Sequence, residues 1–129
     1  MLPVSPRQTR LVLERDIQRG CLEWLSAKGV LSWRSNQIPV PLKDGGFRKF
    51  AGLKGVADIL GIVRQDVMLL DRSIIPMGVF LAVEVKGPKG KLSEEQEWFL
   101  EEVRRRGGIG LCVRSVDDLE AQLTPFLWA

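Results

Sequence analysis

The 129-residue chain contains no histidine, no tyrosine and only two cysteines. The absence of histidine excludes Ser-His-Asp and Cys-His catalysis, Cys₂His₂ zinc sites and histidine-ligated haem. Cys21 and Cys112 lie in apolar segments, so we expect reduced core residues rather than a disulfide. Any metal ion would then bind mainly to oxygen atoms, which favours Mg²⁺, Mn²⁺ or Ca²⁺.

Long apolar runs and a strong charge of one sign are also missing. No segment is long and apolar enough to span a membrane, and the amino terminus has no signal-peptide stretch, so we expect a cytoplasmic protein without a membrane partner. The net charge of +3 permits a polyanionic partner without requiring one. We find no repeat or linker, and residues 1–129 therefore predict a single domain.

Periodicity and turn residues predict three helices and four strands. The helices are expected at residues 7–28, 93–106 and 115–124, and the strands at residues 30–36, 56–63, 79–86 and 109–113. Residues 38–54 are predicted to form a basic loop. Residues 64–78 are ambiguous, with a possible short strand at 67–70 and a turn at Pro76 and Gly78. The order α-β-β-β-α-β-α predicts an α/β fold with a mixed β-sheet flanked by helices.

Two strands carry charge where charge is costly. Side chains alternate along a strand, so Glu84 and Lys86 share one face while Val83 and Val85 share the other. Taken alone, this pair is more simply explained by a solvated outer face of the strand. Asp58, however, is the only polar side chain between Gly55 and Val63, where both faces look buried. It is either paired with a compensating group, as at a functional site, or bonded to loop amides at the start of the strand.

Two helical residues are open to two interpretations. Glu14 falls in the same helical arc as Ile17, Cys21 and Leu25, so it either binds a partner such as a metal or extends to solvent from the helix edge. Gln96 completes a capping box with the serine three residues before it, yet it shares a helix face with apolar residues that point to the sheet. The two interpretations of Gln96 are compatible.

Asp58, the run Glu84-Val85-Lys86 and Gln96, in this order, resemble the PD-(D/E)xK nuclease superfamily. The closest resemblance is to its virus-type replication-repair (VRR-Nuc) branch, which also occurs as small stand-alone phage proteins. Ala57 replaces the proline of the PD signature, and no tyrosine follows the helical glutamine. The similar stretches are residues 13–18, 55–61, 81–93, 107–108 and 113–115, together with Asn36 and Gln96.

The resemblance implies a restriction-endonuclease-like fold and a role for each matched residue. Asp58, Glu84 and the Val85 carbonyl would bind Mg²⁺, or Mn²⁺ in its place, with Glu14 completing the oxygen shell. The metal would activate a water molecule, which Lys86 would orient or deprotonate. Gln96 would position the lysine or a phosphate oxygen. Asp58, Glu84, Lys86 and Gln96 are therefore the expected catalytic residues.

Basic residues flank these positions in the sequence. They are expected to contact DNA phosphates without reading bases, although each lysine taken singly is also compatible with a merely solvated loop. The expected DNA-binding residues are Lys43, Arg48, Lys49, Lys54, Lys89 and Lys91.

The resulting hypothesis is an Mg²⁺-dependent, structure-specific DNA endonuclease. Stand-alone members of the resembled branch look like dimeric junction-resolving enzymes, which implies a homodimer that acts on branched DNA such as a four-way (Holliday) junction, in a bacterial or phage-infected cell. The alternatives are a flap or single-strand nuclease in replication repair, a restriction-like enzyme, and a DNA-binding module without catalysis. A further alternative is that the strand charges are only surface residues.

Overall fold

The computed structural model describes residues 6–35, 40–41, 43–45, 47–48 and 53–127. Three helices lie close to their predicted positions: α1 (Pro6–Ala27), α2 (Glu94–Arg105) and α3 (Val116–Leu123), followed by a 3₁₀ turn (Thr124–Phe126). The side chains of Ser93 and Ser115 cap α2 and α3 by accepting backbone N–H groups of the first turn. These caps confirm the predicted starts of both helices.

The central sheet contains β1 (Leu31–Arg34), β4 (Ile59–Met68), β5 (Ile74–Val85) and β6 (Ile109–Val113) in the spatial order β1-β4-β5-β6. β1 and β5 run antiparallel to β4, whereas β6 runs parallel to β5. The parallel pair requires a crossover, which α2 provides. The predicted mixed sheet flanked by helices is thus confirmed.

The segment predicted as a basic loop contains regular structure. Two short strands, β2 (Val40–Pro41) and β3 (Phe47–Arg48), pair antiparallel outside the main sheet. Gly45 supplies a left-handed backbone conformation between them (φ 88°). The element order therefore gains two strands over the predicted order, because two-residue strands are too short to show an alternating pattern.

The interpretation of residues 64–78 was wrong. β4 continues to Met68 and β5 already begins at Ile74, so the turn lies at residues 69–73 rather than at Pro76 and Gly78. The Leu69 and Ser73 backbones are hydrogen-bonded, and Arg72 takes the left-handed conformation that a glycine usually occupies in such a hairpin (φ 69°). Because no glycine marks this position, the turn could not be recognised from the sequence.

Pro76 lies inside β5, opposite Asp66 of β4. A proline lacks the N–H group that a central strand needs on both sides. β6 pairs only with residues 81–85 of β5, so among the described strands none lies on the outer side of Pro76. Pro76 is therefore at an edge of the sheet, where this residue is tolerated.

The sheet separates two apolar layers. α1 and α3 cover one face, with a core that includes Cys21, Leu25, Val83 and Leu119. α2 covers part of the other face and packs its apolar side chains against Ala82. Both cysteines are free, as expected.

The predicted burial of both faces from Val56 to Val63 was only partly right. β4 begins three residues later than predicted, and Ile62 points to the α2 side but is exposed. The main contacts of α2 are with β5 and β6, so no described helix packs mainly on the outer part of this face. No helix in the described ranges combines the length and apolar character that a membrane span requires.

Candidate active site

Glu84 is the only charged or polar side chain that is buried in the described part of the chain, with 2% of its surface exposed. It lies near the end of β5, on the face that α2 covers. The pairing of Ile59 with Val83 places Asp58, the preceding residue on the neighbouring strand, at the level of Glu84. Strand register thus brings together two acids that lie 26 residues apart in the sequence.

Asp58 is held at the start of β4 by bonds on both sides. Its Oδ2 accepts the Val85 N–H (2.9 Å), and its backbone carbonyl accepts the Ser35 N–H (2.9 Å). The alternative of an aspartate that bonds loop amides is therefore not what the structure has, because the amide belongs to the neighbouring strand. The bond fixes the half-buried carboxylate beside Glu84.

The two oxygens of Glu84 have different surroundings. Oε1 accepts a hydrogen bond from Gln96 Nε2 (3.0 Å) and lies 3.7 Å from the ammonium of Lys86. Oε2 is buried and has no hydrogen-bond partner among the residues that the structure describes. A buried carboxylate oxygen without a partner is costly, so this atom is suited to an additional cation or donor.

The electrostatics of the site agree with this interpretation. Burial, and secondly the negative charge of Asp58, raise the pKa of Glu84 from 4.5 to about 8, although the nearby Lys86 acts in the opposite direction. One ammonium therefore does not compensate two neighbouring carboxylates in a desolvated position. A further positive charge would favour the ionised form of Glu84.

Gln96 serves both of its possible roles at once. Its Oε1 accepts the Ser93 N–H (2.9 Å) and completes the capping box, while its Nε2 donates to Glu84. The start of α2 and the acid on β5 are thereby joined through one amide side chain. Gly55 allows the chain before Asp58 to approach this turn, because a Cβ there would come within 2.3 Å of the Glu95 carbonyl.

Glu14, on α1, contacts the residue that follows Lys86. Its Oε1 accepts the Gly87 N–H (3.0 Å), and the Gly87 carbonyl accepts bonds from the Arg114 guanidinium and the Gly90 N–H. Gly87, the residue that follows Lys86, is thus held at its N–H by α1 and at its carbonyl by the segment between β6 and α3. The sequence interpretation missed this function of Arg114, since only the topology brings residues 87 and 114 together.

The comparisons with known proteins fit this geometry. The family model of the VRR-NUC domain matches residues 8–117 of the chain. The chain belongs to the VRR-NUC family. The VRR-NUC domain has a restriction-endonuclease-like fold, and membership implies a nuclease that processes DNA. Neither the curated proteins nor the solved structures gave a significant match.

The acidic residues of this VRR-NUC domain fit a divalent cation in part. Asp58 and Glu84 supply adjacent carboxylates, and Glu84 Oε2 lacks a partner within the described ranges. Those ranges contain no group of three or more Asp, Glu, Cys or His side chains arranged for one metal ion. Glu14 contacts the Gly87 amide instead of joining the pair, and its role as a metal ligand stays a prediction.

The predicted DNA-binding residues of the VRR-NUC domain are only partly described. Lys43, Lys54, Lys89 and Lys91 are exposed. Lys89 and Lys91 lie in and after the turn that follows Lys86, and Lys54 precedes Gly55 on the loop leading to Asp58. The side chain of Arg48 and all of Lys49 lie outside the described residues, as does Asn36.

Proposed function

We propose that this VRR-NUC protein is a metal-dependent, structure-specific DNA endonuclease that cuts branched DNA, with the four-way junction as its preferred substrate. The observation that carries the proposal is the buried Glu84 carboxylate. One oxygen is bonded to Gln96 and close to Lys86, the other lacks a partner among the described residues, and Asp58 lies alongside. Such an arrangement is costly in a protein that only binds DNA.

Asp58, Glu84 and the Val85 carbonyl are the groups that would hold Mg²⁺, with Mn²⁺ as a substitute. The bound cation would polarise the scissile phosphate and lower the pKa of a water molecule. The Val85 N–H already fixes the Asp58 carboxylate, and Gln96 fixes one oxygen of Glu84. Both acids are therefore preorganised before any ligand arrives.

Lys86 is the group that we expect to orient or deprotonate the attacking water. Its side chain is mostly buried, at 3.7 Å from Glu84 Oε1, and its backbone is held through Gly87 by Glu14 and Arg114. A restrained ammonium also offsets negative charge that develops on the phosphate. We propose hydrolysis in one step, with water rather than a side chain as the nucleophile.

A junction has two strands to cut, so this substrate fits a homodimer with two active sites related by a two-fold axis. The exposed lysines would contact the DNA backbone, which allows recognition of DNA shape without base contacts. A flap or single-strand nuclease would use the same catalytic residues on one strand, without a need for paired sites.

The decisive experiment is a cleavage assay on a panel of four-way junction, flap, duplex and single-stranded DNA, with Mg²⁺ or with a chelator. We expect the wild type to cut the junction only with the metal. The Lys86→Ala variant should lose at least about 100-fold in rate, because it lacks the ammonium near the reacting water. Lys28→Ala removes an exposed lysine just after α1, to which no role in DNA binding is assigned, and should retain most of the rate.

Each other outcome points to one alternative. If wild type and Lys86→Ala are equally inert while both bind DNA, the protein is a binding module without catalysis. Preferred cutting of flap or single-stranded DNA would leave the catalytic assignment intact but would replace the junction as substrate. Undiminished cleavage in the presence of the chelator would contradict the proposed dependence on a metal ion.

A further inference from the structure

An apolar arm projects from the sheet at the end opposite the acidic site. We use the term arm for residues 64–78, the outer half of the β4–β5 hairpin. It is a two-stranded ribbon, since β1 pairs only with residues 59–62 of β4, and β6 only with residues 81–85 of β5. Its exposed apolar side chains are Val67, Met68, Leu69, Leu70, Ile74, Ile75 and Met77.

The described part of the domain leaves these side chains exposed. Val67 and Ile75 point to one side of the ribbon, whereas Met68 and Ile74 point to the other, as the alternation along paired strands requires. Leu70, at the turn, is fully exposed. A lone two-stranded ribbon is marginal in water, and one that is apolar on both sides needs a partner.

The charges of the arm do not fit nucleic acid. Residues 64–78 contain two arginines and two aspartates, so their formal charges cancel. Arg64 is already paired with Asp66 (3.3 Å), and Asp71 accepts hydrogen bonds from Ser73 within the turn. Protein surfaces that bind DNA are strongly positive, whereas this one is neutral.

We propose that the arm is the dimerisation surface of the protein, and that its partner is the arm of a second copy of this chain. The inference deepens the proposed function, because it names the surface that would join two nuclease subunits. A neutral apolar surface meets its own copy without repulsion between like charges.

The size of the surface supports a second copy. The seven apolar side chains expose on the order of 800 Å² over the two sides of the ribbon, so a second arm that covers both sides would bury about the share that one partner contributes to a stable interface of standard size. Pro76 lies on the outer strand of the arm and lacks an N–H, which disfavours pairing of two β5 edges into one sheet. We therefore expect the two arms to join by packing of side chains rather than through their β5 edges.

Sedimentation velocity on the full chain, without DNA, tests the inference across a range of concentrations. We expect the wild type to be a dimer. Ile74→Lys, at a position that is 63% exposed, should weaken the dimer at least about tenfold, because two lysines would enter an apolar contact. Circular dichroism should show an unchanged fold, since the substituted side chain is exposed in the single chain.

Leu13→Lys is the matched control. It adds the same charge at an exposed leucine (38%) on α1, beside Glu14, which contacts the opposite end of β5. This variant should remain a dimer. A monomeric wild type, or an Ile74→Lys protein that dimerises like the wild type, would overturn the inference.

The experiment separates this inference from the proposed function, because sedimentation does not depend on cleavage. A dimer that the arm substitution dissociates but that cuts no DNA would uphold the inference and refute the nuclease proposal. If the wild type is monomeric and Ile74→Lys lowers DNA affinity instead, the arm is a DNA-binding element and the inference is wrong.

Discussion

Among the charged residues that the structure describes, Glu84 is the most buried, and its Oε2 has no hydrogen-bond partner there. This burial costs stability in a residue that the proposed function requires. Glu84→Gln removes the charge but keeps the Oε1 atom that accepts the Gln96 bond. We expect the metal-free variant to be more stable than the wild type by about 1 kcal/mol at neutral pH, because the amide needs neither an added proton nor a second negative charge beside Asp58. Thermal unfolding without metal measures this difference.

The same variant should lose its response to the metal. We expect no increase in Tm with Mg²⁺ and a loss of cleavage of at least about 100-fold, since one of the two carboxylates is gone. Glu101→Gln, an exposed acid on α2 near Arg104, serves as the control and should behave like the wild type. A full Mg²⁺ response in Glu84→Gln would remove this residue from the ligand set.

The raised pKa of Glu84 predicts an unusual pH dependence of stability. Burial and Asp58 raise this pKa from 4.5 to about 8, so the folded protein binds the proton more tightly than the unfolded chain. The contribution of Glu84 to the free energy of unfolding is therefore complete below about pH 4.5 and is lost as the pH rises to about 8. Denaturant unfolding of the metal-free wild type over this range measures the loss.

A divalent cation should reverse part of this trend. Binding requires the ionised carboxylate and releases its proton, so the Mg²⁺-induced increase in Tm should grow between about pH 6 and pH 8. The Glu84→Gln variant should show neither the decrease in the free energy of unfolding with rising pH nor the larger Mg²⁺-induced increase in Tm at high pH. If the Mg²⁺-induced increase in Tm is the same at pH 6 and pH 8, Glu84 is not a metal ligand that must first release a proton.

The residues of the site were visible in the sequence because they break the pattern around them. Asp58 interrupts an apolar run, and Glu84 and Lys86 lie on one face of an apolar strand, so both signals are local. The bond of Arg114 to the Gly87 carbonyl and that of Glu14 to the N–H of the same residue join distant parts of the chain. No local pattern encodes such contacts, since they follow from how the elements pack.

At the level of elements, the two N-caps provide a matched pair of tests. Ser93 and Ser115 each accept one backbone N–H, at 3.1 and 3.0 Å, so replacement by alanine should cost about 1 kcal/mol at either position. Only Ser93→Ala should also reduce cleavage, because Gln96 belongs to the same capping box and contacts Glu84.

Unfolding in urea and a cleavage rate measured well below the Tm separate the two effects. Ser115→Ala should retain the wild-type rate, and Ser93→Ala should lose about tenfold through the displaced amide. Equal rates in the two variants would show that the capping box contributes stability alone and does not position Gln96.

The elements that the sequence predicted well have strong local signals. Caps and apolar periodicity define α2, and a short buried run defines β6 at residues 109–113, as predicted. The β4–β5 turn was misplaced because Arg72 holds the left-handed position, while Pro76 and Gly78 suggested a turn inside a strand. Proline and glycine favour turns locally, but β4 and β5 pair over ten residues each. This pairing outweighs the local preference for a turn at Pro76 and Gly78.

For the whole molecule, the structure places acids and apolar surface at opposite ends of one long hairpin. The acidic pair lies where β5 ends, and the apolar arm lies where β4 turns into β5. Sequence alone predicts the first through its motif. The second becomes recognisable only when the neighbouring strands are seen to end early, since the same apolar residues would otherwise belong to the core.

The charge of the whole molecule is only +3, so DNA affinity should depend on a few positions rather than on a general field. Lys89 and Lys91 are exposed next to the site and should each neutralise one phosphate. The double variant Lys89→Ala/Lys91→Ala should reduce the slope of log affinity against log salt concentration by about 2, because each phosphate contact contributes about one unit.

The measurement is a salt titration of DNA binding in the presence of Ca²⁺ instead of Mg²⁺, to limit cleavage, with wild type and variant on the same junction. Arg105→Ala is the control, because this exposed arginine is paired with Glu102 (3.7 Å) on α2, away from the turn after Lys86. Its slope should equal that of the wild type. If Arg105→Ala changes the slope as much as the double variant does, the two lysines are not specific phosphate contacts, and binding follows from overall charge.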